Sequence, residues 1–252
     1  MRLHVLGSSG GFPVPDNPCS GFLLRNGGSE VWLDAGTGTF AALQQVTDHL
    51  GLEALVLSHR HPDHCADLLT FYVARMLHEG GAPRLPLYAP AGTLDVFTHF
   101  LPGETPEKVD KVFELREIAE GTRIEVGGIR MRFLRTEHPV LTLAVRAESP
   151  AGSLTYSADT GPHVDLAGFA RGTDVLLCEA TYQNEKRGAP VHLTAAEAGN
   201  VAHRARVGEL LLTHIWPTFD PALSVQEAQT AAGEIPVRPV WAGDQVEVRR
   251  RG

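Results

Sequence analysis

The run His59-Arg60-His61-Pro62-Asp63-His64 places three imidazoles and a carboxylate within six residues. It comes just after the apolar segment Ala54-Leu55-Val56-Leu57, which has the composition of a buried strand. Side chains two positions apart on an extended backbone point the same way. His59 and His61 are therefore predicted to reach one cation together.

The second half of the run is predicted to turn from a strand into a helix. Pro62 restrains its own φ, and residues 68–76 carry apolar side chains at helical spacing. This turn would direct Asp63 and His64 at a point beside the first cation. Zinc binds imidazole nitrogen and carboxylate oxygen, usually through four ligands. The alternative interpretation is a surface cluster of histidines that binds no metal.

Three more residues of ligand type lie at the C-terminal ends of apolar segments. They are His138 after segment 131–134, Asp159 after segment 154–158 and His214 after segment 210–213. Taken singly, each is an ordinary polar residue where a strand runs into a surface loop. Their order and position along the chain favour one shared site with the histidine run.

This set of motifs resembles the metallo-β-lactamase superfamily from residue 3 to about residue 243. The resemblance implies an α/β fold of the αββα type, with two mixed β-sheets flanked by helices. It implies one metal bound by His59, His61 and His138, a second bound by Asp63, His64 and His214, and Asp159 bridging both. Two divalent ions are expected, with Zn²⁺ preferred, although Mn²⁺ and iron accept the same ligands.

Two further segments resemble the tRNase Z-like phosphodiesterase branch of that superfamily. Leu177-Cys178-Glu179-Ala180-Thr181-Tyr182 is similar to its Glu-Ala-Thr segment, and Val191-His192-Leu193-Thr194-Ala195 to its downstream histidine motif. The resemblance implies that His192 lies near the scissile phosphate and that Glu179 orients it. An imidazole held by a carboxylate has a raised pKa, which suits protonation of a leaving oxygen. The alternative is an acid at a strand end and an exposed histidine before a helix cap.

The short segment between His138 and Asp159 and the negative net charge argue against a large RNA substrate. Long-armed members of that branch insert a tRNA-gripping arm between the third-histidine and bridging-aspartate motifs, but here His138 and Asp159 are only 21 positions apart. The formal charge is −8, from 22 basic and 30 acidic side chains, which opposes affinity for a phosphate backbone. The basic tail Arg249-Arg250-Arg251 is interpreted as a solvated chain end. A small or cyclic phosphodiester is therefore the predicted substrate and partner.

The predicted chemistry uses a hydroxide shared by the two cations, which attacks phosphorus in line. Asp63 would orient that hydroxide and take its proton, while His192, backed by Glu179, would protonate the departing alkoxide. Three alternatives remain open. These are a thioesterase or glyoxalase II-like hydrolase on the same site, a true β-lactamase, and a non-catalytic metal- or ligand-binding module.

Several residues near these motifs have two interpretations. Gly7-Ser8-Ser9-Gly10-Gly11 either presents backbone N–H groups to an anion or forms a tight turn. Asp34, in a segment that looks like the superfamily's early Asp-x-Gly, either orients a ligand histidine or starts a turn. Cys65 is either a soft extra ligand or, as we favour, a small buried helix residue. Loops 11–20, 80–92 and 182–191 are expected to shape the substrate pocket.

Composition agrees with one cytoplasmic domain spanning residues 1–252. Hydrophobic residues make up 43% of the chain and no linker or repeat divides it. The N-terminus is typical of a strand rather than a signal peptide, and no apolar run approaches the roughly twenty residues that span a bilayer. Three widely spaced cysteines indicate reduced thiols. Homodimer formation is left open.

Strand-like and helix-like segments alternate along the chain. The predicted strands are 3–7, 20–25, 30–34, 54–58, 123–126, 129–135, 141–148, 153–158, 175–178 and 209–213. The predicted helices are 39–49, 63–78, 92–101 and 194–206, the last beginning at the capping box Thr194-Ala195-Ala196-Glu197.

Overall fold

The chain folds into two β-sheets of seven strands each, and helices cover the outer face of each sheet. This is the predicted αββα architecture of two mixed sheets flanked by helices. The computed structural model describes residues 1–251. The strands are β1 (Arg2–Gly7), β2 (Gly21–Asn26), β3 (Ser29–Leu33), β4 (Ala54–Val56), β5 (Leu85–Ala89), β6 (Phe113–Glu117), β7 (Arg123–Val126), β8 (Ile129–Arg135), β9 (Leu143–Ser149), β10 (Gly152–Tyr156), β11 (Val175–Glu179), β12 (Glu209–Thr213), β13 (Val237–Pro239) and β14 (Gln245–Glu247). The α-helices are α1 (Thr39–Gln44), α2 (Pro62–Cys65), α3 (Asp67–Met76), α4 (Leu94–Phe100), α5 (Pro106–Val112), α6 (Leu166–Phe169), α7 (Ala195–Ala205) and α8 (Pro221–Ala232).

Both sheets are mixed. The first has the order β14-β1-β2-β3-β4-β5-β6 and becomes parallel from β3 onwards. The second has the order β13-β12-β11-β10-β9-β8-β7 and becomes parallel from β10 to β13. The run 59–64, Asp159 and His214 lie in loops that follow the parallel strands β4, β10 and β12, whereas His138 follows the antiparallel strand β8.

Three apolar layers hold the four-layer arrangement together. One fills the space between the sheets, a second packs the first sheet against its helices, and a third packs the second sheet against α6, α7 and α8. Trp32 and Phe71 typify the second layer, where their rings meet edge to face with centroids 5.2 Å apart. Small alanines of α7, such as Ala198 and Ala202, allow the third layer to pack closely.

The predicted helix 63–78 is in fact two helices, because tertiary contacts interrupt its hydrogen-bond ladder next to Ala66, which itself keeps helical dihedral angles. The amide of Asp67 donates to Ala35 O instead of continuing the helix ladder. The carbonyl of Asp63, which that ladder would have used, accepts from Ser20 N. Both partners belong to loops beside the histidine run, so the break positions that run.

Other element boundaries differ less. Helix 39–49 ends at Gln44, and a separate 3₁₀ turn at His49–Gly51 is capped by the Asp48 side chain, which accepts from Leu50 N. The capping box of α7 is confirmed in both directions, since Thr194 and Glu197 each accept a hydrogen bond from the other's backbone N–H. No helix within residues 1–251 combines the length and apolarity needed to cross a membrane.

The C-terminal arginines are exposed to solvent, as predicted for a solvated end, but Arg251 is also hydrogen-bonded to the rest of the protein. Its amide donates to the Asp174 carboxylate, and its guanidinium donates to the carbonyls of Thr173 and Arg206. These bonds hold the tail against the second sheet.

Candidate metal centre

The structure brings all seven predicted ligand residues together in two groups within residues 1–251. In each group, one candidate ligand atom from every side chain lies within 4.8 Å of the others. The first group is His59, His61, His138 and Asp159, and the second is Asp63, His64, Asp159 and His214. Asp159 is the member that both groups share.

In the first group, ring nitrogens converge on one carboxylate oxygen. His61 Nδ1 and His138 Nε2 lie 3.0 Å apart. His59 Nε2 and His138 Nε2 each lie 3.6 Å from Asp159 Oδ2. His59 is fully buried, and burial lowers its pKa well below the usual value, so its ring is neutral and can offer a lone pair.

The second group converges on the other oxygen of the same carboxylate. Asp159 Oδ1 lies 3.2 Å from His64 Nε2 and 3.5 Å from His214 Nε2. Asp63 Oδ2 lies 3.1 Å from His214 Nε2 and 3.6 Å from His64 Nε2. Asp159 therefore presents one oxygen to each group, which is the arrangement of a bridging ligand.

These donor sets fit divalent cations. With metal–ligand bonds of roughly 2.0–2.2 Å, the edges of a tetrahedral site are about 3.3–3.6 Å, close to the spacings in both groups. His59 Nε2, His64 Nε2 and Asp159 Oδ1 are buried without any hydrogen-bond partner. Buried polar atoms are almost always paired, so three unpaired atoms that face the same two points fit a site for divalent cations.

The carboxylates of the centre are held in their ionised form. Burial raises the pKa of Asp159, but its electrostatic interactions with His214 and His64 outweigh this effect and hold that pKa well below its usual range. Burial likewise opposes ionisation of Asp63, and the neighbouring His64 and His214 overcome it, so its pKa is also lowered. Both residues therefore offer anionic oxygens to a cation.

Asp34 orients the ligand His64, as one interpretation of the sequence predicted. Its buried carboxylate accepts from His64 Nδ1 at 2.8 Å, which leaves Nε2 to face the centre. The same carboxylate accepts from Ser58 N and Ser58 Oγ, each at 2.7 Å, and from Tyr156 Oη at 2.9 Å. Ser58 Oγ also lies 3.0 Å from His59 Nδ1. The supporting roles of Ser58 and Tyr156 were not recognised from the sequence.

Thr181 orients the ligand His214, as Asp34 orients the ligand His64. Its hydroxyl accepts from His214 Nδ1 at 2.8 Å and donates to Glu179 Oε2 at 2.5 Å. His138 is oriented by a backbone group instead, because its Nδ1 donates to Val191 O at 3.1 Å. Thr181 lies in the Glu-Ala-Thr motif, which is the one sequence signal that pointed to it.

Glu179 and His192 form the predicted pair. Both carboxylate oxygens of Glu179 lie 3.2 Å from His192 Nδ1, and that nitrogen lies 4.0 Å from Asp159 Oδ2. Glu179 is fully buried and also accepts from Thr160 N and Leu193 N. Burial lowers the pKa of His192, but the Glu179 charge and hydrogen bond outweigh this and raise it to about 9.

The backbone at the centre adopts a conformation that residues with a side chain rarely take. Asp34, Ala158 and His214 have φ values of 59°, 50° and 57°. Such residues cost on the order of 1–3 kcal/mol each and persist where the surroundings enforce them. At each of these three positions this conformation turns the chain. The turns direct the side chains of Asp34, of His214 and of Asp159, which follows Ala158, towards the two groups.

The glycine loop after β1 serves the centre but does not present free N–H groups to an anion. Gly11 N donates to Asp63 Oδ2 at 3.0 Å, and Gly10 N donates to Ile215 O. A Cβ at Gly10 would lie 2.7 Å from the His214 carbonyl oxygen, so the close approach requires glycine. The loop therefore holds Asp63 in place.

One other prediction concerns a residue outside the metal groups. Cys65 is a buried helix residue, as favoured from the sequence; its Sγ donates to Arg60 O, and burial raises its pKa to about 12. His163 is an exposed loop histidine that bonds to Glu137. Between His138 and Asp159 the chain forms β9 and β10 and no arm.

The sequence profile of the beta-lactamase superfamily domain matches residues 18–215. Together with the αββα fold, this shows that the chain belongs to the metallo-β-lactamase superfamily. The chain is 37% identical to an uncharacterized protein of Mycobacterium tuberculosis, over 100% of this chain and 94% of the relative. It is 29% identical to ribonuclease Z of Mycobacterium bovis, over 100% and 99% of the two chains.

Solved structures support the same assignment. The metallo-beta-lactamase fold protein YhfI from Bacillus subtilis superposes with a TM-score of 0.88 at 26% identity, covering 98% of this chain and 99% of that one. A diphosphatase from the PhnP family superposes with a TM-score of 0.74 at 20% identity, covering 99% of each chain, and shows the fold alone. The chain is thus a metallo-hydrolase-type protein with candidate ligands for divalent metal.

Proposed function

We propose that this protein is a two-metal phosphodiesterase that hydrolyses a small or cyclic phosphodiester. The observation that carries the proposal is the Glu179–His192 pair beside the two metal groups, where His192 Nδ1 lies 4.0 Å from Asp159 Oδ2. A thioesterase on the same ligands would give no role to this pair, because a thiolate leaving group needs little help from an acid.

The chain's own residues divide the work. Two divalent cations, Zn²⁺ by preference, held by the two groups would neutralise phosphoryl oxygens and lower the pKa of a water molecule. Asp63 Oδ2 is held by Gly11 N and would orient the attacking water and accept its proton. The remaining candidate ligands would bind the two cations and hold them in position.

His192 is the proposed general acid. Its Nδ1 is engaged by Glu179, so its Nε2 is the atom that carries a proton to the departing oxygen. With a pKa of about 9 the ring is protonated at neutral pH. Glu179 is a positioning residue, because it acts on the substrate only through this imidazole.

The likeness to ribonuclease Z supports phosphoryl chemistry for this chain, while two observations favour a small substrate. Only the β9–β10 hairpin separates His138 from Asp159, and the formal charge is −8. Phosphate backbones bind through many basic side chains, and a strongly acidic chain repels them.

We further propose that residues 1–252 act as one domain in the cytoplasm, since all three cysteines are free and buried.

The test compares two ester classes on the same protein. With added Zn²⁺ or Mn²⁺, we expect turnover of bis-p-nitrophenyl phosphate and little or none of S-lactoylglutathione. A His61→Ala/Asp159→Ala double variant should lose the phosphodiesterase activity, while His163→Ala, which changes an exposed histidine, should keep it. Undiminished turnover in the double variant, or preference for the thioester, would overturn the proposal.

A further inference from the structure

Two aromatic rings stand at the rim of the metal centre with no assigned role. Phe12 is 43% exposed, although large apolar side chains are usually buried. Its ring meets that of the half-buried Trp216 at 89°, with centroids 5.9 Å apart. The two rings therefore form a right-angled corner, with Phe12 open to solvent.

This corner is built into the metal centre. A Cβ at Gly11 would lie 2.9 Å from the Trp216 ring, so that ring covers the Gly11 backbone. The amide of the same residue donates to Asp63 Oδ2. Trp216 also follows His214 by two positions. Thus a single peptide unit separates the indole from a carboxylate of the second metal group.

The corner is also pre-organised. Phe12 N donates to Gly10 O at 2.9 Å, and Phe12 O accepts from Ser9 Oγ at 2.7 Å. Trp216 N donates to Thr181 O, in the residue that orients His214. Because hydrogen bonds within the protein fix both backbones, little ordering entropy is lost when a flat group binds.

We propose that Phe12 and Trp216 stack the nucleobase of the substrate, so that the preferred phosphodiester is a nucleoside ester. This inference rests on the proposed function, since it names the substrate class of the same site. A planar base can lie on one ring and meet the other edge to face, the two arrangements that aromatic pairs prefer.

The segment that follows Phe12 favours a base over a sugar. Phe12 is followed by Pro13-Val14-Pro15, which offers no side-chain hydrogen-bond donor or acceptor to sugar hydroxyls. Stacking needs none, because every base has a π face. The corner is thus expected to select the base as a class and to discriminate weakly among bases.

The first test measures selectivity with two esters that release the same chromophore. Wild-type protein loaded with Zn²⁺ is assayed on thymidine 5′-(p-nitrophenyl phosphate) and on methyl p-nitrophenyl phosphate. We expect Phe12→Ala and Trp216→Ala each to lower the nucleoside-to-methyl ratio of kcat/KM about tenfold, mainly through KM, as stacking energies imply. Trp216→Phe should restore part of the ratio. Phe100→Ala, which removes a ring that is 69% exposed on α4, should leave it unchanged.

A ratio that stays constant in both alanine variants would overturn the inference, as would a higher wild-type kcat/KM on the methyl ester. The second test is calorimetric binding of thymidine 5′-monophosphate and glucose 1-phosphate, which needs no turnover. Binding of the nucleotide that weakens in Phe12→Ala supports the corner even if neither ester is hydrolysed, in which case only the proposed function fails. Equal affinity for both ligands, unchanged in Phe12→Ala, would contradict it.

Discussion

The two halves of the molecule contribute to the metal centre in different ways. The first half supplies four of the seven candidate ligands from the single run 59–64. The second half supplies His138, Asp159 and His214 from three separate loops, after β8, β10 and β12. Each metal group nevertheless combines two residues of the run with two from the second half. A site of this kind exists only when the two sheets are packed together.

The two halves also differ in the residues that hydrogen-bond to the candidate ligands and orient them. In the first half one carboxylate, Asp34, fixes His64 and is itself fixed by Ser58 and Tyr156. In the second half a hydroxyl, Thr181, links His214 to Glu179. The first arrangement serves metal binding, whereas the second joins a ligand to the proposed acid pair. Under the proposed function, the second half would protonate the leaving group, whereas Asp63 in the first half would accept the proton of the attacking water.

The largest effect is expected where the two groups meet. Asp159→Ala removes one ligand from each group, so both sites should bind metal weakly. Loss of several kcal/mol of charge stabilisation implies a fall in turnover of roughly a thousandfold or more. Metal content by inductively coupled plasma mass spectrometry and phosphodiester turnover check this together. A variant that retains two metals would show that Asp159 does not bridge.

The next effect separates the proposed acid from the ligands. His192→Gln should keep the metal content of the wild type and lose about a hundredfold to ten-thousandfold in rate, the usual contribution of a general acid. The loss should be larger for an ester with an alkoxide leaving group than for one releasing p-nitrophenolate, which leaves without a proton. Equal losses on both esters, or loss of metal, would contradict the assignment.

A matched pair of variants compares the two supporting arrangements. Asp34→Asn weakens the hydrogen bond to His64, and Thr181→Val removes the one to His214. Each should lower metal affinity or activity about tenfold to a hundredfold, as loss of such outer contacts does. Only Thr181→Val should also disturb His192, through Glu179. Titration of metal-free protein with Zn²⁺, followed by turnover at saturation, distinguishes the two.

The smallest effect concerns the contact between the halves. Burial, with the charges of Asp34 and Asp159, raises the pKa of Tyr156, so its hydroxyl stays protonated and donates to Asp34 across the sheets. Tyr156→Phe should lower the free energy of unfolding by about 1.5–3 kcal/mol, as for a hydrogen bond to a charged group. Urea unfolding measures it. Tyr88→Phe, which loses a bond to the exposed Arg116, should cost less.

Much of the centre was predictable because its signals are local. The spacing within His59–His64 predicts a metal motif from chemistry alone, and the apolar runs before His138, Asp159 and His214 predict their positions at strand ends. The alternation of strands and helices predicts the two sheets. The superfamily resemblance then supplied the grouping of ligands, and the structure brings the same residues together.

The rest depends on contacts that have no local signal. Thr181 and Tyr156 are ordinary strand-end and strand residues until the fold places them beside His214 and Asp34. Gly11 N meets Asp63 across 52 positions of sequence. Short elements such as β13, β14 and α6 have three or four residues each, and their sequences carry too few positions for a period to be read. Neighbouring strands and helices determine their conformation.

The most direct test of the account is stepwise reconstitution of the metal-free protein with Zn²⁺ while phosphodiester turnover is followed. If Asp159 joins two sites that act together, turnover should rise to its maximum as the second equivalent of Zn²⁺ binds per chain. Full turnover after one equivalent, or turnover unaffected by metal removal, would contradict a two-metal centre formed by the two halves.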